Sequence, residues 1–409
     1  MNIKIYPSKI KGTITAPPSK SVTHRAIIIA SLAHGESIIN NALLSEDTMY
    51  TINGLKSLGV SIRQKNQTLI IKGNGGNLKA PSEEIFVGNS GSTLRMLTAV
   101  SSLASGKTII TGEKRLLARP MGDLLDAIQQ RGIRNGGEIK VRGDISSQYI
   151  SSLLLIAPFA KKTVQITIEG NLRSKPYVAL TIALMKIFGV DVTNKNFREF
   201  IVPGNQRYIA QNYTIEGDYS SASYFFAAAA VTQRKVTVKN LNTKSIQADS
   251  YFLDILEKMG CSVQKNIDSL SVEGSSKLKG VSVDMNDYPD IVQTLSVVAA
   301  FAKGDTHITN IGHLKDKETD RISATANELI KMGITVKATN DTLTITGGKP
   351  KGATIQTYND HRMAMSFAIA GLGATGKTSV QQAEVVIKSY PNFWEDLKSI
   401  GAKIEINNN

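Results

Sequence analysis

Six glycines divide the 409-residue chain into similar segments and constrain its fold more than any other feature. Each follows an apolar, helix-like run and precedes a strand-like run, a position where a left-handed glycine commonly ends a helix. They recur roughly every 68 residues, as expected if the chain contains six copies of one unit. These glycines are Gly59, Gly132, Gly189, Gly260, Gly333 and Gly401.

Every copy combines the same elements in the same order. A polar turn such as PPSKS, GNSGS or YND opens an apolar helical run, and a second helical run ends at the glycine. Alternating β-branched stretches such as KVTVKN lie between the helices, and a strand hairpin follows the second helix. The pattern predicts β-α-β-α-β-β, although the sixth copy ends at AKIEINNN without its last strand.

The first strand-like segment, MNIKIYPS, lies outside the six copies. We expect it to complete the sixth copy, which lacks one strand. Grouping the copies in threes then predicts an α/β protein of two similar domains, residues 13–215 and residues 1–12 plus 216–409. The chain would cross between these domains near residues 13–18 and 212–217.

Positive charge dominates the composition, because 48 lysines and arginines face 34 acidic residues and give a net charge of +14. Such an excess favours nucleic acid, a membrane surface or phosphorylated small molecules as partners. The longest apolar runs fall short of the roughly 18 residues that a membrane span needs, so no membrane association is expected. A single cysteine, Cys261, and an N-terminus without an apolar signal segment indicate a cytoplasmic protein.

The segment GLGATGKTS, residues 371–379, matches the nucleotide-binding pattern G-x-x-x-x-G-K-[ST]. A true P-loop follows a strand and opens a helix, because the helix N-terminus helps to hold the phosphates. Here the segment follows a helical run and precedes a strand-like run. Similar turns, SLASGKT and FAKGDT, occupy the same place in other copies. We therefore predict a recurring helix-to-strand turn and no nucleotide site.

The polar turns that open the first helix of each copy are better candidate sites. Free N–H groups and the positive end of the helix dipole attract anions there, although Ser, Asp and Asn can also be ordinary N-caps. Capping is the preferred interpretation for GDYSSASY, where no cation lies nearby in the sequence. Lys20, Arg25 and Arg95 lie within about one helical turn of the first two caps, which favours anion binding there.

Nine short motifs carry the most specific information: PPSKSVTHRA, GNSGSTLRML, LLARPM, DISSQYISSLL, RSKPY, DYPD, DKETDRI, YNDHRMAM and KSYPNFWEDL. In this order they resemble the motifs of the 5-enolpyruvylshikimate-3-phosphate synthase family, and the resemblance covers nearly the whole chain. It implies two similar domains, each of three βαβαββ units, described as an inside-out α/β barrel with the active site in the inter-domain cleft. This agrees with the sixfold repeat.

The resemblance implies transfer of an enolpyruvyl group from phosphoenolpyruvate to the 5-hydroxyl of shikimate 3-phosphate, with release of phosphate. This is a step of the shikimate pathway towards chorismate and the aromatic amino acids. Both substrates are polyanions, which gives the +14 charge a use other than nucleic acid. Arginine and lysine can neutralise phosphate, so no metal or cofactor is expected. We expect a monomer.

The family's roles transfer to matching positions. Asp290 is the implied base on the 5-hydroxyl, Glu318 the implied proton donor to the methylene carbon, and Lys20 a third catalytic group. The implied contacts of shikimate 3-phosphate are Lys20, Ser21, Arg25, Ser146, Ser147, Gln148, Ser174, Tyr177, Asp290, His313 and Lys317. Those of phosphoenolpyruvate are Lys20, Asn89, Gly91, Arg119, Gln148, Arg321, Arg362 and Lys388.

Simpler interpretations exist for several of these residues. Asp316, Glu318 and Asp320 could form a solvated run of charge, and His361 could only fix the turn that precedes its helix. Cys261 is expected to be buried and inert.

The chain also departs from the common motifs. The departures are Pro18, His24, Ser92, Met96 and His313. They leave the implied reaction intact but make inhibitor sensitivity uncertain.

Three other functions remain to be distinguished. The sister enzyme that acts on UDP-N-acetylglucosamine usually carries a reactive cysteine in the stretch aligned with KRLLARPMGD, which has none here. A nucleic-acid-binding protein would need a recognition motif or a basic tail, and neither is visible. An RNA-terminal phosphate cyclase would need a nucleotide site.

Overall fold

The computed structural model describes residues 1–129 and 135–407. The α-helices in these ranges are α1 (Lys20–Leu32), α2 (Glu46–Ser57), α3 (Gly91–Ser101), α4 (Lys114–Leu117), α5 (Gly122–Gln129), α6 (Ser147–Ile156), α7 (Lys175–Ile187), α8 (Tyr219–Thr232), α9 (Tyr251–Lys258), α10 (Val292–Ala299), α11 (Arg321–Lys331), α12 (His361–Gly373) and α13 (Phe393–Ser399). Short 3₁₀ helices are Ala157–Phe159, Ala248–Ser250, Pro289–Ile291, Gly312–Asp316 and Ala383–Lys388.

The β-strands in the described ranges are mostly short. They are β1 (Asn2–Tyr6), β2 (Gly12–Thr15), β3 (His34–Asn40), β4 (Ser61–Lys65), β5 (Thr68–Asn74), β6 (Ile85–Phe86), β7 (Ile110–Thr111), β8 (Gly137–Arg142), β9 (Val164–Glu169), β10 (Thr193–Lys195), β11 (Glu199–Val202), β12 (Asn212–Thr214), β13 (Lys235–Lys239), β14 (Ser262–Lys265), β15 (Ser269–Glu273), β16 (Ser282–Asp284), β17 (Asp305–Thr309), β18 (Thr335–Ala338), β19 (Leu343–Thr346), β20 (Thr354–Ile355), β21 (Thr378–Val380) and β22 (Lys403–Asn407).

The chain divides into two compact units. The first unit contains residues 18–216, and the second unit contains residues 1–17 and 217–409. The sequence predicted crossings near residues 13–18 and 212–217, with domain bounds after residues 12 and 215, and the two units divide after residues 17 and 216. Residues 13–17 fall in the second unit because β2, which precedes α1 in the chain, pairs in parallel with β13 of that unit. Conversely, β12 precedes α8 but pairs in parallel with β3 of the first unit.

Strand pairing follows one scheme in the five four-stranded sheets of the described residues, whereas β6 and β7 form a separate two-stranded parallel sheet. In the sheet β12-β3-β5-β4, one parallel pair is followed by antiparallel pairs of a hairpin. The second unit repeats this order in β16-β17-β19-β18 and in β2-β13-β15-β14. In its remaining sheet, β1 lies between β21 and β22 and is antiparallel to both. The prediction that the N-terminal strand completes the sixth copy is therefore confirmed.

Helices α8, α10 and α12 contact one another and form the core of the second unit. Nearly every residue of α8 and α12 is buried, including the run Phe225–Ala230. A helix that is apolar all round is stable only when it is covered on every side. Its polar N-terminal turn is then the part available for chemistry.

The helix-ending glycines behave as the repeat predicted. Gly59, Gly189, Gly260, Gly333 and Gly401 all have positive φ, between 81° and 104°. Each follows the last turn of a helix, where only glycine adopts this conformation without strain. Gly132 lies outside the described residues.

The P-loop-like segment also has the predicted context. Helix α12 continues to Gly373, and β21 begins at Thr378. The segment is a helix-to-strand turn, so its backbone N–H groups do not open a helix. Within the described residues, no helix combines the length and the apolar character that crossing a membrane requires.

A second set of glycines lies where a hairpin strand passes under the C-terminal end of a buried helix. A Cβ added at Gly73 would overlap the carbonyl oxygen of Ala33, after α1. A Cβ at Gly347 would overlap the carbonyl oxygen of Ala302, after α10. Since both neighbours are backbone atoms, neither contact can be relieved by a change of rotamer.

We expect Gly347→Ala to lower the free energy of unfolding by about 2 kcal/mol or more, because the added methyl group overlaps backbone. The adjacent Gly348 is the matched control: a Cβ there would meet only Ile334 Cδ1, at 3.5 Å. Urea unfolding of both variants measures the difference. Equal stability of the two variants would contradict the packing described here.

Candidate active site

In the first unit, three buried helices begin at residues that the sequence assigned to substrate. Helix α1 begins at Lys20, α3 at Gly91 and α6 at Ser147. Each is capped by a serine whose hydroxyl accepts from a backbone N–H of the first turn: Ser19 from Val22, Ser90 from Thr93, and Ser146 from Gln148. The helix N-termini supply partial positive charge without adding a side chain.

Arg25 connects α1 to two other helices of this unit. Its side chain is 3% exposed, and Nε donates to Thr181 Oγ1 over 2.7 Å. Nη2 donates to the backbone oxygen of Tyr177 over 3.2 Å and to Ser151 Oγ over 3.4 Å. Burial lowers the pKa of Arg25 to about 10, which still leaves it charged at neutral pH. Two predicted ligands of shikimate 3-phosphate, Arg25 and Tyr177, are thus in direct contact.

Gly91 is the point where Arg119 approaches α3. A Cβ on Gly91 would lie 2.6 Å from Nη1 of Arg119 and 2.9 Å from its Cζ. The guanidinium of Arg119 therefore occupies the space that a larger residue would need. Asn89 is buried two residues before Gly91. The structure brings these three predicted phosphoenolpyruvate ligands together.

Gln148 is fixed at both ends of its amide. Oε1 accepts from Arg95 Nη1 over 2.6 Å, and Nε2 donates to Ser92 Oγ over 2.9 Å. Arg95 also lies over the ring of Tyr149, 5.5 Å from its centre. The sequence noted Arg95 as a cation near a cap but did not assign it to the site, because its partner is 53 positions away.

Two further predicted ligands of the first unit lie at the start of a helix. Ser174 directly precedes α7 and has φ of +55°, the left-handed conformation, with its side chain buried. Lys20, at the start of α1, pairs with the buried carboxylate of Asp47, with 3.1 Å between Nζ and Oδ2. The sequence missed Asp47 because nothing in its local pattern distinguishes it from an acidic residue of a helix first turn.

In the second unit, Arg321 is the centre of a buried network. Its Nε donates to Asp360 Oδ2 over 2.7 Å, Nη2 to Glu318 Oε2 over 2.9 Å, and Nη1 to Asp290 Oδ1 over 3.3 Å. Burial opposes the positive charge, but Asp360 and Glu318 outweigh it and raise the pKa of Arg321 above its usual range. One guanidinium thus holds both predicted proton-transfer carboxylates in fixed positions.

The other predicted cations of this unit bind the same carboxylates. Nη2 of Arg362 lies 2.8 Å from Asp290 Oδ2, and its Nη1 donates to the backbone oxygen of Asp290 over 3.0 Å. Nζ of Lys388, a buried residue, lies 3.4 Å from Glu318 Oε1. All five of the predicted residues Asp290, Glu318, Arg321, Arg362 and Lys388 therefore belong to one network.

The acidic run around Glu318 separates into three different environments. Asp316 is exposed, whereas Asp320 caps α11 by accepting from the N–H groups of Ile322 and Ser323. Glu318 joins the network of Arg321. The interpretation of the whole run as solvated charge is therefore wrong for Glu318 and for Asp320.

The remaining predicted residues of the second unit lie beside Glu318 or at the start of α12. His313 is buried within the 3₁₀ helix Gly312–Asp316, and Lys317 directly follows that helix. His361 is a buried first residue of α12, beside the cap Asp360. Cys261 is buried, as predicted, and burial raises the pKa of its thiol to about 11.

The sequence missed a buried carboxyl group, Asp249. It is 3% exposed and accepts a hydrogen bond from Ser220 Oγ. Burial, followed by the negative charge of Asp290, raises the pKa of Asp249 to about 7. The turn GDYSS is a cap, as expected, because Asp218 accepts from the N–H of Ser221 over 2.7 Å. Ser220 of the same turn has a different partner, which the turn pattern does not reveal.

The raised pKa of Asp249 predicts a pH dependence of stability. The folded protein retains a proton that the unfolded chain releases near 3.8, so this contribution to the free energy of unfolding falls as pH rises from about 4 to about 7. The slope is at most about 1.4 kcal/mol per pH unit. Asp249→Asn should remove it, whereas Asp254→Asn, in a half-exposed surface pair, should not. Denaturant unfolding of the three proteins between pH 4 and 8 is the measurement, and parallel curves would contradict the assignment.

The described ranges contain no group of three or more His, Cys, Asp and Glu side chains arranged to hold a metal ion. The carboxylates of Asp290, Glu318 and Asp360 are paired with arginine and lysine.

The chain was compared with families and with individual proteins. Residues 5–397 match the family model described as EPSP synthase (3-phosphoshikimate 1-carboxyvinyltransferase). A protein of Methanosarcina mazei named 3-phosphoshikimate 1-carboxyvinyltransferase is 41% identical, with 99% of each chain covered. A protein of the same name from Methanococcus aeolicus is 43% identical, with 97% of this chain and 98% of the relative covered.

Solved structures give the same result for the fold. A structure of EPSP synthase from Acinetobacter baumannii superposes with a TM-score of 0.83 at 29% identity, and all of both chains is covered. A second structure of EPSP synthase from that organism has a TM-score of 0.84 at 28% identity. The predicted α/β fold class is therefore confirmed.

Proposed function

Because the chain belongs to the EPSP synthase family, we propose that it binds shikimate 3-phosphate and phosphoenolpyruvate through the residues described above. It transfers the enolpyruvyl group of phosphoenolpyruvate to the 5-hydroxyl of shikimate 3-phosphate and releases phosphate. The observation that carries the proposal is the buried network of Arg321, which holds Asp290 and Glu318 on two different nitrogens.

The reaction is an addition followed by an elimination, and it needs several proton transfers. Asp290 accepts the proton of the 5-hydroxyl while the oxygen attacks C2 of phosphoenolpyruvate. Glu318 donates a proton to the methylene carbon, which becomes a methyl group. In the elimination, the carboxylate of Glu318 takes a proton back from the methyl group, the C–O bond to phosphate breaks, and the ammonium of Lys20 assists the departing phosphate.

Shikimate 3-phosphate has a phosphate and a carboxylate, and the proposed ligands match both. Helix N-termini and the hydroxyls of Ser146, Ser147 and Ser174 suit a phosphate, with Lys317 as its cation. Ser21, Arg25, Gln148, Tyr177 and His313 line the ring and its remaining groups.

Phosphoenolpyruvate is more densely charged and takes more cations. The proposed ligands are Lys20, Asn89, Gly91, Arg119, Gln148, Arg321, Arg362 and Lys388. Buried arginines suit this substrate because their planar donors bind carboxylate and phosphate in a bidentate manner. The carboxylates that now hold these cations keep them oriented before substrate binds.

We further propose a cytoplasmic monomer that uses no cofactor and binds neither nucleic acid nor membrane. The positive charge of +14 then serves polyanionic small molecules. The test is an assay of phosphate release with phosphoenolpyruvate and either shikimate 3-phosphate or UDP-N-acetylglucosamine. Release only with UDP-N-acetylglucosamine, or with neither, would contradict the proposal.

Asp290→Asn and Glu318→Gln should each lower kcat by roughly 100-fold or more, because each removes a proton transfer of the transition state. Control variants are Asp287→Asn, in the same DYPD turn, and Asp316→Asn, on an exposed residue near Glu318. These should retain kcat within about twofold, because neither residue is assigned a proton transfer. Steady-state kinetics with both substrates is the measurement. A near-normal kcat for either first variant would show that its assigned role is wrong.

Gly91→Ala should raise KM for phosphoenolpyruvate by roughly tenfold or more, because the new methyl group displaces Arg119. KM for shikimate 3-phosphate should change much less. The matched control is Gly122→Ala, since a Cβ there meets nothing within 4 Å. An unchanged KM for phosphoenolpyruvate in Gly91→Ala would show that Gly91 does not belong to the phosphoenolpyruvate subsite.

A further inference from the structure

A chain of buried hydrogen bonds lies beneath the N-terminal ends of α1, α2 and α3 in the first unit. His24 Nδ1 lies 2.8 Å from Thr51 Oγ1, and Thr51 Oγ1 lies 2.8 Å from Thr93 Oγ1. Thr93 Oγ1 contacts the backbone oxygen of Asp47 over 3.1 Å and Ser90 Oγ over 2.7 Å. Every one of these side chains is at most 3% exposed.

One arrangement of hydrogens makes every contact of this chain a hydrogen bond. The backbone oxygen of Asp47 can only accept, so in this arrangement the single hydrogen of the Thr93 hydroxyl points to it, and Ser90 donates to Thr93. Thr51 must then donate its own hydrogen to Thr93 Oγ1. Because the hydroxyl hydrogen of Thr51 is used in this bond, Thr51 Oγ1 can only accept from His24. The donor must then be Nδ1 of His24, which therefore carries a hydrogen.

The same argument leaves Nε2 of His24 without a hydrogen in the neutral ring. Nε2 is buried and has no hydrogen-bond partner among the residues that the structure describes. An unprotonated Nε2 destabilises the folded protein less than a protonated one would, because a buried N–H donor without an acceptor loses its hydrogen bond to water and gains none. Burial lowers the pKa of His24 to about 3, and the positive charges of Lys20 and Arg25 add to this effect against the opposing charge of Asp47. The ring is neutral at physiological pH.

Both ends of the chain reach residues of the candidate site. Asp47, the acceptor at one end, pairs through its carboxylate with Lys20, and His24 at the other end lies on α1 one turn after Lys20. Ser90, which contacts Thr93, is the cap of α3 and directly precedes Gly91. The chain thus connects, through α2, the starts of α1 and α3, which carry the proposed phosphoenolpyruvate ligands Lys20 and Gly91.

We propose that His24, as the neutral tautomer with its proton on Nδ1, is a positioning residue that holds the N-terminal ends of α1, α2 and α3 in register for phosphoenolpyruvate. The effect of His24 on KM rests on the proposed function, whereas the position of the proton on its ring does not depend on that function. His24 contacts Thr51 and acts through Lys20 and Gly91.

Two substitutions by amide side chains distinguish the roles of the two ring nitrogens of His24. The side-chain N–H of asparagine reaches the position of Nδ1, and that of glutamine reaches the position of Nε2. His24→Asn can therefore still donate to Thr51, whereas His24→Gln loses this donor and places an amide where no partner exists. We expect KM for phosphoenolpyruvate to stay within about threefold in His24→Asn and to rise about tenfold or more in His24→Gln.

A structural role without positioning would give a different result. Loss of folded protein lowers the apparent kcat but leaves the KM values unchanged. KM for shikimate 3-phosphate should rise less than KM for phosphoenolpyruvate. The two substrates share Lys20, but Ser146, Ser147 and Ser174, which are proposed to bind shikimate 3-phosphate, lie at the starts of α6 and α7, outside this chain. His307→Asn is the matched control, because His307 Nδ1 also contacts a threonine, Thr344 Oγ1 at 3.2 Å, but on an exposed strand of the second unit. It should leave both KM values unchanged.

The tautomer is tested directly by ¹⁵N NMR of the full-length protein labelled at its five histidines. The signals that disappear in His24→Asn belong to His24, and we expect its proton on Nδ1 at neutral pH. A proton on Nε2, or equal KM values for phosphoenolpyruvate in the Asn and Gln variants, would overturn the proposal. If the wild-type protein releases no phosphate from the two substrates, the proposed function fails, while the NMR result still decides the tautomer.

Discussion

The chemistry of the second unit depends on one buried guanidinium. Arg321 is 2% exposed, and a charge in that environment is tolerated only when its hydrogen bonds and its charge are both matched. Three carboxylates accept its hydrogen bonds and balance its charge: Asp290 in the Pro289–Ile291 turn, Glu318, and Asp360, the cap of α12. Breaking such a group by removing one partner typically costs about 3–5 kcal/mol. The network therefore sets the geometry of the proton-transfer groups and also ties three separate segments together.

In the first unit, the residues that the structure describes hold the helix starts in place mainly through neutral hydrogen bonds. The starts of α1, α2 and α3 are connected by neutral hydroxyls and one neutral imidazole, and buried charges lie beside them at the Lys20–Asp47 pair and at Arg25, Arg95 and Arg119. The first turns of α1, α3 and α6 contain no acidic residue, so the positive ends of these helix dipoles are not neutralised from within the helix. This arrangement suits a phosphate ligand, whereas the paired carboxylates of the second unit suit proton transfer.

Local sequence was sufficient for most of the repeat. The glycines that end helices, the capping turns and the alternating strands are short-range signals, and most of them lie where the pattern predicted within the described residues. The second copy is an exception, because β6 and β7 form a two-stranded sheet without the predicted hairpin in those residues. The exact end of the second unit, at residue 17, depends on β2, which pairs with a strand more than 200 positions away, a choice that no local pattern records. The family motifs supplied the candidate residues, but Asp47, Arg95 and Asp249 remained outside the prediction. Their roles come from burial and from partners far along the chain.

The position of the glycine contacts explains how one unit could be copied and then acquire different chemistry. Gly73 and Gly347 pack against the C-terminal ends of α1 and α10, whereas the functional residues lie at or just before the N-terminal ends of the buried helices. A helix of 13 residues such as α1 separates these ends by about 20 Å. Substitutions at that distance usually add independently in their effects on stability. The packing that defines the repeat can therefore stay constant while the polar turn changes from a serine cap with Lys20 to an aspartate cap with Arg362.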